Sequence, residues 1–226
     1  MTTIEIGNAV ARLLLEADAI QVSRGQPYIL AAGWASPVYV DCRLLLGEPD
    51  LRRAVTDLAA DFAAATFAAN SFDAIAGAET AGIPFASWLA DRMALKLRYV
   101  RKRPLGIGKD AQVEGGPVEG LRVLLMDDLT TDGSSKLAFA RGLRAAGAIV
   151  DHVLTVFYYD IFPGAEARLK NADLKLHALA TWADVLRTES PVRLSAEDRA
   201  EIERFVADPV AWSMRHGGRT NLSART

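Results

Sequence analysis

Asp127 and Asp128 are adjacent carboxylates at the end of an apolar run, residues 123–126, and Thr130, Thr131, Asp132, Gly133, Ser134 and Ser135 follow closely. The run is too short for a helix and reads as a buried strand, after which the Thr-Asp-Gly-Ser stretch opens into a helical pattern. In an α/β sheet this order puts polar groups at the carboxyl end of a strand, where ligands bind. Backbone N–H groups in such a loop and at the following helix N-terminus attract an anion, above all a phosphate. The paired carboxylates suit hydroxyl groups or a magnesium ion instead.

The elements that must hold this stretch can be followed along the chain. Ile6, Val10, Leu13, Leu14 and Ala17 recur at helical spacing after Thr2 and Thr3, which can cap. Residues 28–43 read as two short strands around a turn from Gly33 to Pro37. Pro49 can start a helix with Leu51, Val55, Leu58 and Phe62 on one face. Residues 73–78 form a short buried strand, and the Glu79-Thr80 turn leads into a helix carrying Phe85, Leu89 and Met93, which makes one βα unit.

A strand at 97–100 precedes residues 101–120, which follow no period and carry Arg101, Lys102, Arg103 and Lys109 among Gly and Pro. A loop of this length is a cation-bearing flap, or else a solvated β-hairpin. Beyond the opening stretch come a helix over 134–146 stopped by Gly147, a buried strand over 149–159, and then a short helix (165–172), a strand (174–179) and a short helix (181–187). Ser195 and Asp198 resemble a capping box opening a last helix through Ile202, Phe205 and Val206.

This alternation predicts an α/β fold with a mostly parallel central sheet and helices on both faces, plus a small N-terminal hood lobe. The expected division is a hood over about 1–45, a core over 46–187, a C-terminal helical extension over 188–216, and a frayed tail over 217–226. At 226 residues the chain fits one large domain with a small appendage, and its net charge of −2 gives no global reason to expect nucleic acid or an anionic membrane. Cys42 is the only cysteine, which excludes an intrachain disulfide and speaks against a cysteine metal site. No apolar run reaches the roughly 18 residues that span a bilayer, and the N-terminus lacks a basic region followed by an apolar one, so a cytoplasmic protein is expected. His152, His177 and His216 are scattered without metal-ligand spacing. Trp34 can line a ligand pocket beside Tyr39 or pack between hood and core, and the two fit equally well.

The run Leu124-Leu-Met-Asp-Asp-Leu-Thr-Thr-Asp-Gly-Ser-Ser135 resembles the phosphoribosyl pyrophosphate (PRPP) motif of type I phosphoribosyltransferases. Within that family the chain is most similar to the members acting on orotate. Three further segments carry this likeness: Gly33 with Ser36-Pro37, the run from Gly77 to Pro84, and Tyr99-Val-Arg-Lys-Arg-Pro104 with its Gly-containing loop. The resemblance implies transfer of ribose 5-phosphate from PRPP to orotate, giving orotidine 5′-monophosphate and pyrophosphate in pyrimidine biosynthesis, with Mg2+ as cofactor. It also implies a homodimer whose flexible loop closes over the neighbouring subunit's site.

By carry-over, Thr130 or Thr131 through Ser135 hold the 5-phosphate, and Asp127 and Asp128 hold the ribose hydroxyls and the metal side. Arg101 and Lys102 contact pyrophosphate, Glu79 and Thr80 face it, and Tyr39 lies near the base. The family's loop commonly reads Arg-Lys-x-Pro-Lys-Gly-His-Gly, and here Leu105 and Ile107 stand in place of the second Lys and the His. Lys109 is the expected replacement, with Arg103 and Arg43 as alternatives. Ala31 replaces a Lys of the N-terminal strand, and Tyr158, Tyr159 and Asp160 stand where an orotate-contacting Arg would be. Those departures leave open a PRPP-binding regulatory or non-catalytic protein on the same fold, or a phosphoribosyltransferase for another base.

Overall fold

The computed structural model describes residues 1–104, 112–189 and 194–221. Helix α1 (Thr3–Glu16) begins with a capping box, in which the Thr2 hydroxyl and the Glu5 carboxylate satisfy each other's backbone N–H groups. The hood follows as four very short strands, β1 (Ile20–Val22), β2 (Tyr28–Ile29), β3 (Ala35–Ser36) and β4 (Val38–Val40). Strands β2 and β3 pair antiparallel across the Gly33 turn, as the sequence suggests, while β4 pairs with β1, which sequence pattern alone did not place. Helices α2 (Leu44–Gly47) and α3 (Pro49–Thr66) lead into the core.

The core alternates β5 (Ala74–Ala78), α4 (Gly82–Arg92), β6 (Lys96–Val100), β7 (Val113–Glu114), β8 (Arg122–Thr130), α5 (Ser134–Ala145), β9 (Ile149–Tyr158), α6 (Ala165–Lys170) and β10 (Lys175–Thr181). Helices α7 (Trp182–Arg187), α8 (Ala196–Ala207) and α9 (Pro209–Arg215) complete it. The six-stranded sheet runs β10-β9-β8-β5-β6-β7 and is parallel except for β7, which pairs antiparallel with β6. That small strand corrects the expectation of a wholly aperiodic stretch after residue 100, because Arg101 N–H also donates to the Gln112 carbonyl at 2.8 Å. Strands β6 and β7 therefore pair as a hairpin base, and residues 105–111 lie outside the described residues.

Alternation within the strands builds two apolar layers. Ile75, Leu124 and Met126 pack against α1, α3 and α4, whereas Ala74, Ala76, Val123 and Leu125 pack against α5 and α6. Each fully buried Leu or Ile contributes roughly 1.5–3 kcal/mol, which fixes strand register and thereby the position of the turn at the end of each strand. The chain moves outward from β5 to β6 in one direction and from β8 to β9 and β10 in the other. The crevice between the carboxyl ends of β5 and β8 is thus the switch point of the sheet, the place where α/β folds bind ligands.

Candidate active site

Glu79 and Thr80 leave β5 on one side of this crevice, and Asp127 and Asp128 stand near the end of β8 on the other. The approach is close because Gly82, at the start of α4, has no side chain. A Cβ there would lie 2.5 Å from the Met126 carbonyl oxygen and 2.9 Å from Asp127 Cα. The first turn of α4 therefore presses directly against the backbone that carries the acid pair. The peptide joining Glu79 to Thr80 is cis.

Asp127 is buried, and both of its oxygens are engaged. Oδ1 accepts the Asp128 N–H at 2.9 Å, and Oδ2 pairs with the Lys136 ammonium. Lys136 is 2% exposed and also donates to the Leu129 carbonyl at 2.6 Å and to Ser135 Oγ at 3.2 Å. The buried Asp127 carboxylate is thus balanced from within the chain. Asp128 remains half-buried, and its carboxyl is pushed up to about 7 by burial first and by the Asp127 charge second.

After Thr130, which closes β8 with a buried hydroxyl that lacks a partner among the described residues, the chain turns through Gly133 at φ +76° into α5. A positive φ of this kind favours glycine. Asp132 is buried, and its Oδ1 accepts the Ser134 N–H at 3.1 Å, an Asx-type turn leading into α5. Ser134 and Ser135 are exposed at the first turn of α5, where partial positive charge gathers.

Arg168 Nη1 donates to Ser134 Oγ at 2.5 Å and lies 3.7 Å from Asp132 Oδ2. Arg219 Nη1 lies 3.4 Å from that same oxygen and donates to the Ala32 carbonyl at 3.0 Å. Residues 217–226 were expected to be a frayed tail, but residues 218 and 219 are hydrogen-bonded back onto the fold. Gly218 N–H donates to the Ser213 carbonyl at 2.9 Å and Arg219 N–H to the Gly33 carbonyl at 2.8 Å.

The other expected residues fall around the same edge with different degrees of freedom. Arg101 is held by Glu114 at 3.0 Å, by the Tyr99 hydroxyl at 3.3 Å and by Glu79 at 3.6 Å, while the Lys102 N–H donates to Glu79 at 2.7 Å. This network fixes the base of the hairpin to the β5 turn. Lys102 and Thr80 are exposed. Arg43 is gripped by both oxygens of Asp41, at 2.6 and 2.8 Å, and its Nη2 lies 3.5 Å from the Tyr39 hydroxyl. Burial pushes the Tyr39 phenol up, against the opposing pull of the Arg43 charge.

Trp34 lines no base pocket. It is fully buried, with its ring stacked on Phe162 at 4.6 Å. Tyr159 is also buried, and its hydroxyl donates to the Val38 carbonyl at 3.2 Å, which bolts the hood to the end of β9. Lys109, Leu105 and Ile107 lie outside the described residues. His152 and His177 meet at 2.9 Å on neighbouring strands, away from the crevice.

Three contributors escaped sequence reasoning, namely Lys136, Arg168 and Arg219. A signal existed for Lys136, since a Lys in the first turn of a helix opposes the helix dipole and needs a partner. Arg168 and Arg219 carried no local signal.

A mostly parallel sheet with a glycine turn and an acid pair at its switch point defines an α/β protein with its candidate site at the carboxyl edge of the sheet. Residues 45–173 match the phosphoribosyl transferase domain, and the chain belongs to that family. An orotate phosphoribosyltransferase of Rhizobium rhizogenes is 46% identical over 217 residues, covering 96% of this chain and 94% of that one. Among solved structures, orotate phosphoribosyltransferase from Aeropyrum pernix is 32% identical with a TM-score of 0.67, covering 78% of this chain and 96% of its own. The UMP synthase of Leishmania donovani is 25% identical with a TM-score of 0.73, covering 92% of this chain and 42% of that longer one. Within the family, the chain is one of the orotate phosphoribosyltransferases.

Proposed function

We propose that this enzyme transfers ribose 5-phosphate from PRPP to orotate, giving orotidine 5′-monophosphate and pyrophosphate. The observation that carries this reading is the meeting, at one switch point, of an anion loop after β8 with the Asp127–Asp128 pair. In the reaction the bond from the anomeric carbon to pyrophosphate breaks and a ring nitrogen of orotate bonds to that carbon. Positive charge develops on the sugar and negative charge on the leaving group. No protein nucleophile is required, so catalysis here is positioning and electrostatic preorganisation.

The amides and hydroxyls of residues 131–135 hold the 5-phosphate. Asp128 accepts the ribose hydroxyls, and Asp127, fixed by Lys136, holds the Asp128 backbone in place. The turn at Glu79 and Thr80, with Arg101 and Lys102 beside it, receives pyrophosphate, and Tyr39 faces the base from the hood. Lys109 supplies a cation from the flap.

Among the described residues no group of three or more acidic, His or Cys side chains could cage a metal. Two carboxylates are the donor set that suits Mg2+ when it arrives largely coordinated by substrate oxygens and water. Asp128 would hold it, with Asp127 contributing through water because its oxygens are already engaged. Bound there, Mg2+ would neutralise charge on the pyrophosphate.

Among the described residues no helix is long and apolar enough to cross a membrane. We place the enzyme in the cytoplasm as a homodimer, which size-exclusion chromatography with light scattering tests directly. The activity is tested by adding PRPP, Mg2+ and orotate to the purified protein and following loss of orotate absorbance. Turnover is expected, and it should vanish when Asp127 and Asp128 are both changed to Asn in a protein that remains folded. Wild-type turnover in that double variant would remove the acid pair from the mechanism.

A further inference from the structure

The stretch after α9 is built into the hood. Ser213, in the last turn of α9, is fully buried; its Oγ accepts the Ala35 N–H at 3.0 Å and donates to the Arg219 carbonyl at 2.6 Å. The Gly218 N–H donates to the Ser213 carbonyl at 2.9 Å and the Arg219 N–H to the Gly33 carbonyl at 2.8 Å. No side chain fits at Gly218, because a Cβ there would lie 2.3 Å from the Ala35 nitrogen and 2.5 Å from Ser213 Oγ. Residues 213–219 thus form a strap that clasps the hood turn at Gly33 and Ala35.

Arg219 carries this strap across to the loop after β8. Its Nη1 donates to the Ala32 carbonyl at 3.0 Å and lies 3.4 Å from Asp132 Oδ2, its Nε donates to the Asn221 carbonyl, and its guanidinium lies 5.8 Å above the Trp34 ring. Hood, strap and loop meet in this one side chain. Asp132 is 2% exposed, and its other oxygen accepts the Ser134 N–H at 3.1 Å. Arg219 from the hood side and Arg168 from α6, at 3.7 Å, both act on Oδ2, which leaves Oδ1 aimed at the loop backbone. The orientation of a buried carboxylate follows the partners that surround it, so the loop takes its shape in part from the strap.

Resting on the reading of residues 131–135 as the holder of the 5-phosphate, we propose that Arg219 is a positioning residue of the PRPP site. Through Asp132 it sets the loop, and through the Gly33 and Ala32 carbonyls it sets the place of that loop relative to the hood. The 5-phosphate and the base sit at opposite ends of the product nucleotide, one in the loop and the other under the hood. A fixed spacing between hood and loop matches that length, and small displacements of a binding group cost a large part of its effect.

The test compares the full chain with its Arg219→Gln, Arg219→Lys, Gly218→Val and Asp132→Asn variants and the double variant Asp132→Asn with Arg219→Gln. Each is titrated calorimetrically with ribose 5-phosphate, assayed for kcat and for the KM of each substrate, and melted. Glutamine keeps a donor for the Ala32 carbonyl, and asparagine keeps an acceptor for the Ser134 N–H. Arg219→Gln is expected to weaken ribose 5-phosphate binding and lower kcat/KM for PRPP by about 10- to 100-fold, and Arg219→Lys to restore part of the loss. Gly218→Val should reproduce the loss with every charge in place; if that variant fails to fold, the Arg219 and Asp132 cycle decides alone. Once Asp132 is replaced, adding Arg219→Gln should cost no more than about twofold, because residues that act as one unit are not additive. A full, independent cost in the double variant would overturn the proposal, as would unchanged ribose 5-phosphate affinity in Arg219→Gln. A lower melting temperature with unchanged affinity and kcat/KM would also overturn it, making the strap a structural brace. Wild-type protein that binds ribose 5-phosphate but consumes no orotate would instead remove the orotate reading, and the ribose 5-phosphate titrations would still decide the role of Arg219.

Discussion

Replacing Lys136 by Met should expose how the acid pair is tolerated inside the protein. The Lys136 side chain is 3% exposed and that of Asp127 is 9% exposed. Methionine keeps most of the apolar stem and removes only the ammonium, so the variant isolates the charge. It leaves Asp127 buried without its counter-ion and the Leu129 carbonyl without a donor that stood at 2.6 Å. Breaking one side of a buried ion pair costs about 3–5 kcal/mol. At about 2–4 °C per kcal/mol for a chain of this size, the melting temperature should fall by roughly 6–20 °C. Calorimetry on the free protein gives the stability change, and orotate consumption gives the functional one, expected to drop at least about tenfold because Asp127 supports the Asp128 backbone. Adding Asp127→Asn to Lys136→Met should recover most of the stability and none of the activity. A single variant within about 0.5 kcal/mol of wild type, or a double variant no more stable than the single one, would refute the argument that Lys136 balances the pair.

Asp128 is protonated more readily in the folded protein than in the unfolded chain, so the native state holds the extra proton between about pH 4 and about pH 7. Its contribution to stability is therefore fully present below the unfolded value and is lost as pH rises through the folded one. Asp128→Asn should remove that slope, making the variant more stable than wild type at pH 8 while turnover is lost; urea unfolding at pH 5 and pH 8 would expose an error if the two proteins kept the same pH dependence. Gly82→Ala places a Cβ 2.5 Å from the Met126 carbonyl oxygen, forces backbone to move beneath Asp127, and should cost about 1–3 kcal/mol together with kcat. An alanine variant with unchanged stability and kcat would mean that the contact between α4 and β8 has slack.

Much of the core was legible in the sequence because its signals are local. Strand β8 shows as a short apolar run, α5 as a periodic segment after Gly133, and the β5-turn-α4 unit as a strand followed by Gly and Pro. Each signal spans a few residues and reflects backbone geometry that neighbours impose on each other. The position of the acid pair toward the carboxyl end of β8 follows from the same reasoning, although the strand continues through Thr130 and Asp127 stays buried.

The tertiary structure decided which groups face each other. Trp34 is as suited by sequence to a base pocket as to packing, and its burial against Phe162, on a different element, selects packing. Arg101 reads as a free cation in sequence, yet Glu79 and Glu114 hold it from two different strand ends. Arg219 lies 87 positions from Asp132, in a stretch whose composition suggested fraying. No periodic or capping rule reaches across such a distance. The sequence by itself determined the strand, the acid pair, the loop and the helix beyond it, because backbone preferences and solvation act over one or two turns of chain. Only the packed fold determined their charge balance, because Lys136, Arg168 and Arg219 act through space and take their partners from whatever the two apolar layers bring together.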